Sequence, residues 1–163
     1  MQVGIIGLGA VGLSFASVLG SKGISVIGMD SDLKKIEKIT SKKSLLFEPK
    51  LDSFLKKALS KSLEISSDVE RIVKICDLIF LTVGTPKSKS GFIDLGMIKN
   101  AAKNIGISLQ HVSKKPIIVI KSTVIPGTTN NMIKPLIEKT SRKKAGKGFE
   151  IVTNPEFLRE GSV

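Results

Sequence analysis

Three glycines, Gly7, Gly9 and Gly12, follow the uncharged run Val3-Gly4-Ile5-Ile6 with the spacing GxGxxG. In a strand-turn-helix unit each has its own task. Gly7 makes the tight turn, Gly9 lets backbone approach a pyrophosphate, and Gly12 lets the helix lie close to the strand. The helix from about Ala10 to Leu19 then points its unpaired N–H groups and positive dipole end at phosphate oxygens. Asp30 ends a second apolar run, Ile24 to Met29. Its offset, about 20 residues past the glycines, is where a carboxylate accepts the ribose hydroxyls of a dinucleotide and repels a 2′-phosphate. The alternative for Asp30 is a turn residue that closes its strand. Lys35, near the first turn of the next helix, is placed to reach a cofactor phosphate or ribose, although any exposed helix carries such lysines.

Further polar groups collect at the ends of later apolar runs. Asp77 to Val83 reads as a buried parallel strand that opens into Gly84-Thr85-Pro86. Pro116 to Lys121 leads into Ser122-Thr123-Val124-Ile125-Pro126-Gly127. Phe149 to Thr153 leads into Asn154-Pro155-Glu156-Phe157-Leu158-Arg159-Glu160-Gly161. Thr85 and Thr123 thus stand at the carboxyl ends of strands, the ligand side of an open α/β sheet, with turn or cap hydroxyls as the bland reading of both. Asn at N-cap with Pro at N1 marks a helix start, and capping accounts for Asn154 to Glu156 but not for Glu160.

Six strands and their helices alternate along the chain, with Leu63 to Ser66 short enough for an edge strand. Helix patterns begin at Ser31-Asp32, at Leu51, at Ser67-Asp68, at about Leu95 behind Asp94, and beyond Thr129. Lys87 to Gly91 has the composition of a mobile flap. Right-handed crossovers then give an α/β, Rossmann-type doubly wound parallel sheet of order 3-2-1-4-5-6 in one domain, residues 1–163.

Composition narrows the function classes. With Cys76 the single cysteine and His111 the single histidine, disulfide frameworks, zinc clusters and a Ser-His-Asp array are poorly supported. Cys76 is expected to fill an apolar niche, His111 to lie on the surface, and the chain to be cytoplasmic. Val3 to Ser21 carries no charge but lacks a basic flank and is rich in glycine, so neither a signal peptide nor a membrane span is expected. The net charge of +12 is spread over helix lysines, apart from Arg142-Lys143-Lys144 and Lys147. Without Trp or Tyr to stack on bases, a basic nucleic-acid-associated protein is the weaker reading, and no nucleic-acid partner is expected.

Together, Gly7 to Leu13 (GLGAVGL), Asp30, Phe47 to Leu51 (FEPKL), Val83 to Pro86 (VGTP), Ile120 to Thr129 (IKSTVIPGTT) and Asn154 to Gly161 (NPEFLREG) resemble the NAD-binding domain of the UDP-glucose/GDP-mannose dehydrogenase family. The sequence departs from that pattern at Ala10, where Tyr is common, at Lys50, where Gly is usual, and at Ile125, often Pro. The resemblance implies an enzyme that oxidises the C6 alcohol of a UDP- or GDP-sugar to a uronic acid through two hydride transfers to NAD. It implies cofactor contacts at Val11, Asp30, Lys35, Thr85, Thr123 and Glu160 beside Gly7, Gly9 and Gly12. Glu156, Phe157, Leu158, Arg159 and Glu160 would line the sugar, and Thr123 and Glu156 would position water and move protons. The family's catalytic cysteine and lysine, its dimerisation helix and its UDP-binding domain would lie beyond Val163. The chain would therefore be incomplete alone and would work with a C-terminal half. The other reading is a non-catalytic NAD-binding or regulatory module.

Overall fold

In a computed structural model, the residues described are 1–42, 48, 50–88 and 91–156. Six strands, β1 (Val3–Ile6), β2 (Val26–Met29), β3 (Leu63–Ser66), β4 (Leu78–Leu81), β5 (Ile117–Ile120) and β6 (Glu150–Thr153), form one sheet of order β3-β2-β1-β4-β5-β6. Every pairing is parallel, with Ile5 opposite Gly28 on one side and Phe80 on the other. The sheet order is the expected one, and β3 is an edge strand.

Side chains alternate across the sheet, so the four inner strands each feed two cores. Ile6, Ile79, Leu81, Ile118 and Ile120 face one core with Ile72 and Val73 of α4 (Val69–Ile75), Ile98, Ala102 and Ile105 of α5 (Gly96–Leu109), and Ile137 of α6 (Lys134–Ser141). Val3, Ile5, Phe80 and Val119 face the other with Leu13 and Ala16 of α1 (Ala10–Ser21), Ile39 of α2 (Leu33–Thr40) and Leu55 of α3 (Leu51–Leu59). Helices on both faces are what makes the central strands continuously apolar.

The helix starts divide into two kinds. Asp32 and Asp68 accept hydrogen bonds from the first-turn amides of α2 and α4, and Asp94 Oδ1 accepts from Gly96 N–H at 2.7 Å at the start of α5. Helix α1 instead begins at Gly9 with no side-chain cap and no acidic residue in its first turn. Its leading N–H groups are left for something else.

Three stretches differ in detail from the expectation or reach its limit. Strand β4 ends at Leu81, not Val83, which leaves Thr82 and Val83 as a turn at the sheet's carboxyl edge. The two ends of the Lys87–Gly91 stretch are tied together: Ser88 N–H donates to Phe92 O at 2.7 Å and Asp94 N–H to Pro86 O at 2.7 Å, around a bridge from Lys87 to Ile93, while residues 89 and 90 of the expected flap lie outside the described residues. Asn154 to Glu156 form no helical turn among the described residues; Asn154 N–H donates to Ile120 O at 2.9 Å and Glu156 N–H to Lys121 O at 3.2 Å. Whatever helix follows Pro155 lies outside the described residues. A π-helical turn over Thr129–Ile133 stands ahead of α6, where the periodicity alone predicts ordinary helix. Pro135 has no N–H to give the fourth carbonyl back, and the ladder widens there, with Lys134 N–H bonding Thr129 O.

Candidate functional site

The turn after β1 is built by backbone geometry. Gly7 takes φ +101°, and a Cβ there would sit 2.8 Å from Val83 N. A Cβ on Gly12 would stand 1.9 Å from Gly7 O and 2.6 Å from Thr82 Oγ1. At Gly9 a Cβ would meet nothing within 4 Å, so it would project into open cleft at the uncapped start of α1. Protein contacts therefore exclude side chains at Gly7 and Gly12, whereas at Gly9 only an incoming ligand would. That is the cradle a pyrophosphate requires, and these residues fit a dinucleotide's phosphates in charge and in the room left at Gly9.

The cleft runs both ways from this cradle. On one side a cavity of about 620 Å³ is lined by Gly7, Gly9, Asp30, Lys35, Met97 and Asn100, among others. On the other a cavity of about 260 Å³ is lined by Val11, Thr85, Lys121, Thr123 and Glu156, among others. Both touch Gly9, Thr82, Val83 and Gly84. The divide falls between β1 and β4, where the sheet order reverses and open α/β sheets bind ligands.

Asp30 lies at the far end of the larger cavity, 7% exposed. Its Oδ2 accepts from Leu8 N–H at 2.8 Å and Lys35 Nζ at 2.7 Å, and its Oδ1 from Asp32 N–H at 3.0 Å. Burial alone would push this carboxyl up. The Lys35 ammonium and the Asp32 and Leu8 amides outweigh that and hold it below its ordinary value. Three of roughly four acceptor positions on the two oxygens are thus filled from within. A vicinal diol would find one acceptor on Asp30 and a donor on Lys35, rather than two acceptors on Asp30.

At the other end, hydroxyl groups stitch one loop to the next across the sheet. Thr82 Oγ1 donates to Gly7 O (2.7 Å), Ser122 Oγ to Val83 O (2.7 Å), Thr85 Oγ1 to Thr123 O (2.9 Å) and Thr123 Oγ1 to Glu156 O (3.3 Å). Because Thr85 and Thr123 spend their protons on backbone carbonyls, their oxygens face a ligand as acceptors. The Glu156 carboxylate is 2.8 Å from Lys121 Nζ. Thr82 and Lys121 were not singled out in the sequence. The signal for Lys121 was present, since a charge directly ends the apolar run Ile117–Ile120.

Thus the structure brings Gly7, Gly9, Val11, Gly12, Asp30, Lys35, Thr85, Thr123 and Glu156 along one edge. Phe157, Leu158, Arg159 and Glu160 lie outside the described residues. Cys76 is fully buried between α4 and β4, at the opposite edge, and burial pushes its thiol up to about 11. His111 is exposed. The basic cluster also lies at that opposite edge, where Lys143 Nζ donates to Val112 O and Lys144 pairs with Glu138 at 3.4 Å. No helix among the described residues is long and apolar enough to cross a membrane, and no group of metal-ligating side chains is present among them.

The sheet order, the glycine cradle and the cleft at the reversal point define a Rossmann-type dinucleotide-binding domain. Residues 1–163 match the model of the UDP-glucose/GDP-mannose dehydrogenase family, NAD binding domain; the chain belongs to that family, and its cofactor is NAD. It is 42% identical over 163 residues to GDP-mannose 6-dehydrogenase of Pseudomonas aeruginosa, covering 99% of this chain and 37% of that protein. It is 36% identical over 162 residues to a UDP-glucose 6-dehydrogenase of Haloferax volcanii, again 99% of this chain and 37% of the relative. Among solved structures it is similar to a ternary complex of the P. aeruginosa GDP-mannose dehydrogenase, with a TM-score of 0.95 over 99% of this chain and 37% of that one. A UDP-glucose dehydrogenase from Pyrobaculum islandicum, 33% identical, gives a TM-score of 0.91 over the same shares. The chain spans little more than a third of the length of these relatives.

Proposed function

We propose that the chain is the NAD-binding part of a nucleotide-sugar 6-dehydrogenase, which oxidises the C6 alcohol of a UDP- or GDP-sugar to a uronic acid and does not turn over alone. The observation that carries this is the continuity of the cleft: a ribose site at Asp30 and Lys35, a phosphate cradle at Gly9, and a carboxylate at Glu156 follow one another along the carboxyl edge.

In this reading Gly7, Gly9, Val11 and Gly12 present backbone to the pyrophosphate. The Asp30 carboxylate takes one hydroxyl of the adenosine ribose and Lys35 the other, while Thr85 and Thr123 accept hydrogen bonds from the nicotinamide half or from bound water. NAD, when bound, supplies the hydride acceptor. Glu156 accepts the proton that leaves the alcohol or the attacking water, a task suited to a carboxylate held in a semi-enclosed cavity. Phe157, Leu158, Arg159 and Glu160 line the sugar, with Glu160 also reaching the cofactor. The thiol that the family uses to hold the sugar comes from the remaining length of the enzyme, because Cys76 is buried, protonated at neutral pH and at the wrong edge. A reducing cytoplasm is the setting proposed for such a thiol enzyme. The second reading, a non-catalytic NAD-binding module, draws on the inaccessibility of Cys76.

Isothermal calorimetry tests the cofactor assignment. NAD is expected to bind at least about tenfold more tightly than NADP, ~1.4 kcal/mol, because a 2′-phosphate would meet the Asp30 carboxylate. Lys35 offsets part of that repulsion, which keeps the expected ratio modest. Equal or tighter NADP binding would overturn the Asp30 assignment.

A further inference from the structure

Lys121 stands where β5 gives way to the Ser122-Thr123 turn, and its side chain stays on the protein. It is 12% exposed, as is the side chain of Glu156, to which its Nζ pairs at 2.8 Å. The same ammonium lies 3.4 Å from Asn154 Oδ1 and 5.6 Å from the centroid of the Phe15 ring. Phe15 is in turn fixed edge-on against Phe80, centroids 4.9 Å apart. Backbone bonds repeat the link, since Glu156 N–H donates to Lys121 O at 3.2 Å and the Thr123 hydroxyl to Glu156 O at 3.3 Å. Glu156 is therefore held at its amide, its carbonyl and its carboxylate, and Lys121 supplies two of those three holds.

A pair this sheltered is a weak source of stability, because both charges lose water to form it. Its location is informative. Lys121 and Glu156 together line the smaller cavity, beside Thr85 and Thr123. We propose that Lys121 is a positioning residue for the chemistry at Glu156: its ammonium fixes the direction of the carboxylate, so that it meets a bound alcohol or water as a proton acceptor. When the O–H bond of an alcohol breaks, its proton would go to Glu156 and its electron pair would close the carbonyl; NAD, when bound, would supply the acceptor for the C–H pair. The proposal rests on the role given to Glu156 above.

The test uses the 163-residue chain labelled with ¹³C at glutamate side-chain carboxyls, the Glu156 resonance being identified by its loss in Glu156→Gln. Lys121→Met removes the cation and Lys121→Arg retains it. At neutral pH, Lys121→Met is expected to move the Glu156 resonance and Lys121→Arg to restore it towards the parent. NAD affinity should stay within about threefold of the parent in both, ~0.7 kcal/mol. An unmoved Glu156 resonance in a folded Lys121→Met variant would overturn the proposal. So would a loss of NAD affinity of about tenfold or more in both variants, which would make Lys121 part of the dinucleotide site. If circular dichroism shows Lys121→Met unfolded, Lys121→Arg decides: a parental Glu156 resonance supports the proposal and a displaced one overturns it. Failure of the parent to bind NAD would defeat the functional reading instead, and the resonance comparison would still stand.

Discussion

At the scale of single residues, the three glycines of one motif answer to different forces. Gly12 is required by the protein itself, because a Cβ would drive into Gly7 O and Thr82 Oγ1. Gly12→Ala should therefore cost about 1–3 kcal/mol of stability, the usual range for overpacking a closed site. Gly9 faces open cleft, so Gly9→Val should leave stability within about 1 kcal/mol of the parent yet reduce NAD binding about a hundredfold or more, ~2.7 kcal/mol. Urea unfolding and calorimetry on the two variants separate these effects, and normal NAD binding by Gly9→Val would place the phosphate site elsewhere. Asp30 makes a pH prediction. Its folded-state value lies below that of the unfolded chain, so its stabilising contribution is fully present above about pH 5 and is lost as pH falls below about 4. Asp30→Asn keeps an acceptor for Leu8 N–H but removes the titrating group. The variant should lose less stability than the parent between about pH 5 and pH 3, measured as the change in urea midpoint over that interval. Equal losses would show that the Lys35, Asp32 and Leu8 bonds do not favour the charged form.

At the scale of elements, what could be read in advance was what local chemistry decides. Alternation of apolar runs with helical periodicity was enough for the sheet order, because handedness and burial leave few other arrangements. Asp32 and Asp68 were legible as caps from their type and place. The π-helical turn was not, since Pro135 forces it only once the surrounding helix is formed. Asn154-Pro155-Glu156 carried a helix-start pattern whose helix would run through residues outside those described; what the pattern did not signal is the carbonyl, hydroxyl and ammonium that β5 and its turn offer Glu156, because a partner some thirty residues away leaves no local trace. The same scale explains one departure from the family pattern. Lys50 precedes α3 with φ +64°, a left-handed conformation that costs a residue with a Cβ about 1–2 kcal/mol and glycine nothing, which accounts for the glycine usual there. Part of that gain is returned as unfolded-chain entropy, about 0.5–1 kcal/mol. Lys50→Gly should thus raise stability by roughly 0.5–1 kcal/mol, and a thermal midpoint at or below the parent's would show that Lys50 makes a compensating contact.

At the scale of the whole molecule, the domain presents a finished dinucleotide cleft beside an unfinished surface. Strand β6 pairs with β5 on one side, and along the described residues Val152 and, in the turn after β5, Ile125 are 46% and 50% exposed. Two such side chains are not a patch by themselves, but this chain spans 37% of the length of its P. aeruginosa relative. We expect the remaining two-thirds of that relative, supplied as a separate polypeptide, to bind here and restore NAD-dependent oxidation of a nucleotide sugar, while the chain alone yields no sustained NADH. Within the restored complex, Glu156→Gln should bind NAD as the parent does but turn over about a hundredfold more slowly, the lower end of what a proton acceptor contributes. Thr123→Ala should be milder, because water can replace a hydroxyl whose own proton is spent on Glu156 O. NADH absorbance in mixtures of each variant with the supplied polypeptide measures all three. An active complex in which Glu156→Gln runs at the parental rate would reduce Glu156 to a partner of Lys121 that ties the chain after β6 to β5, and the proton transfer would then have to be assigned to another group.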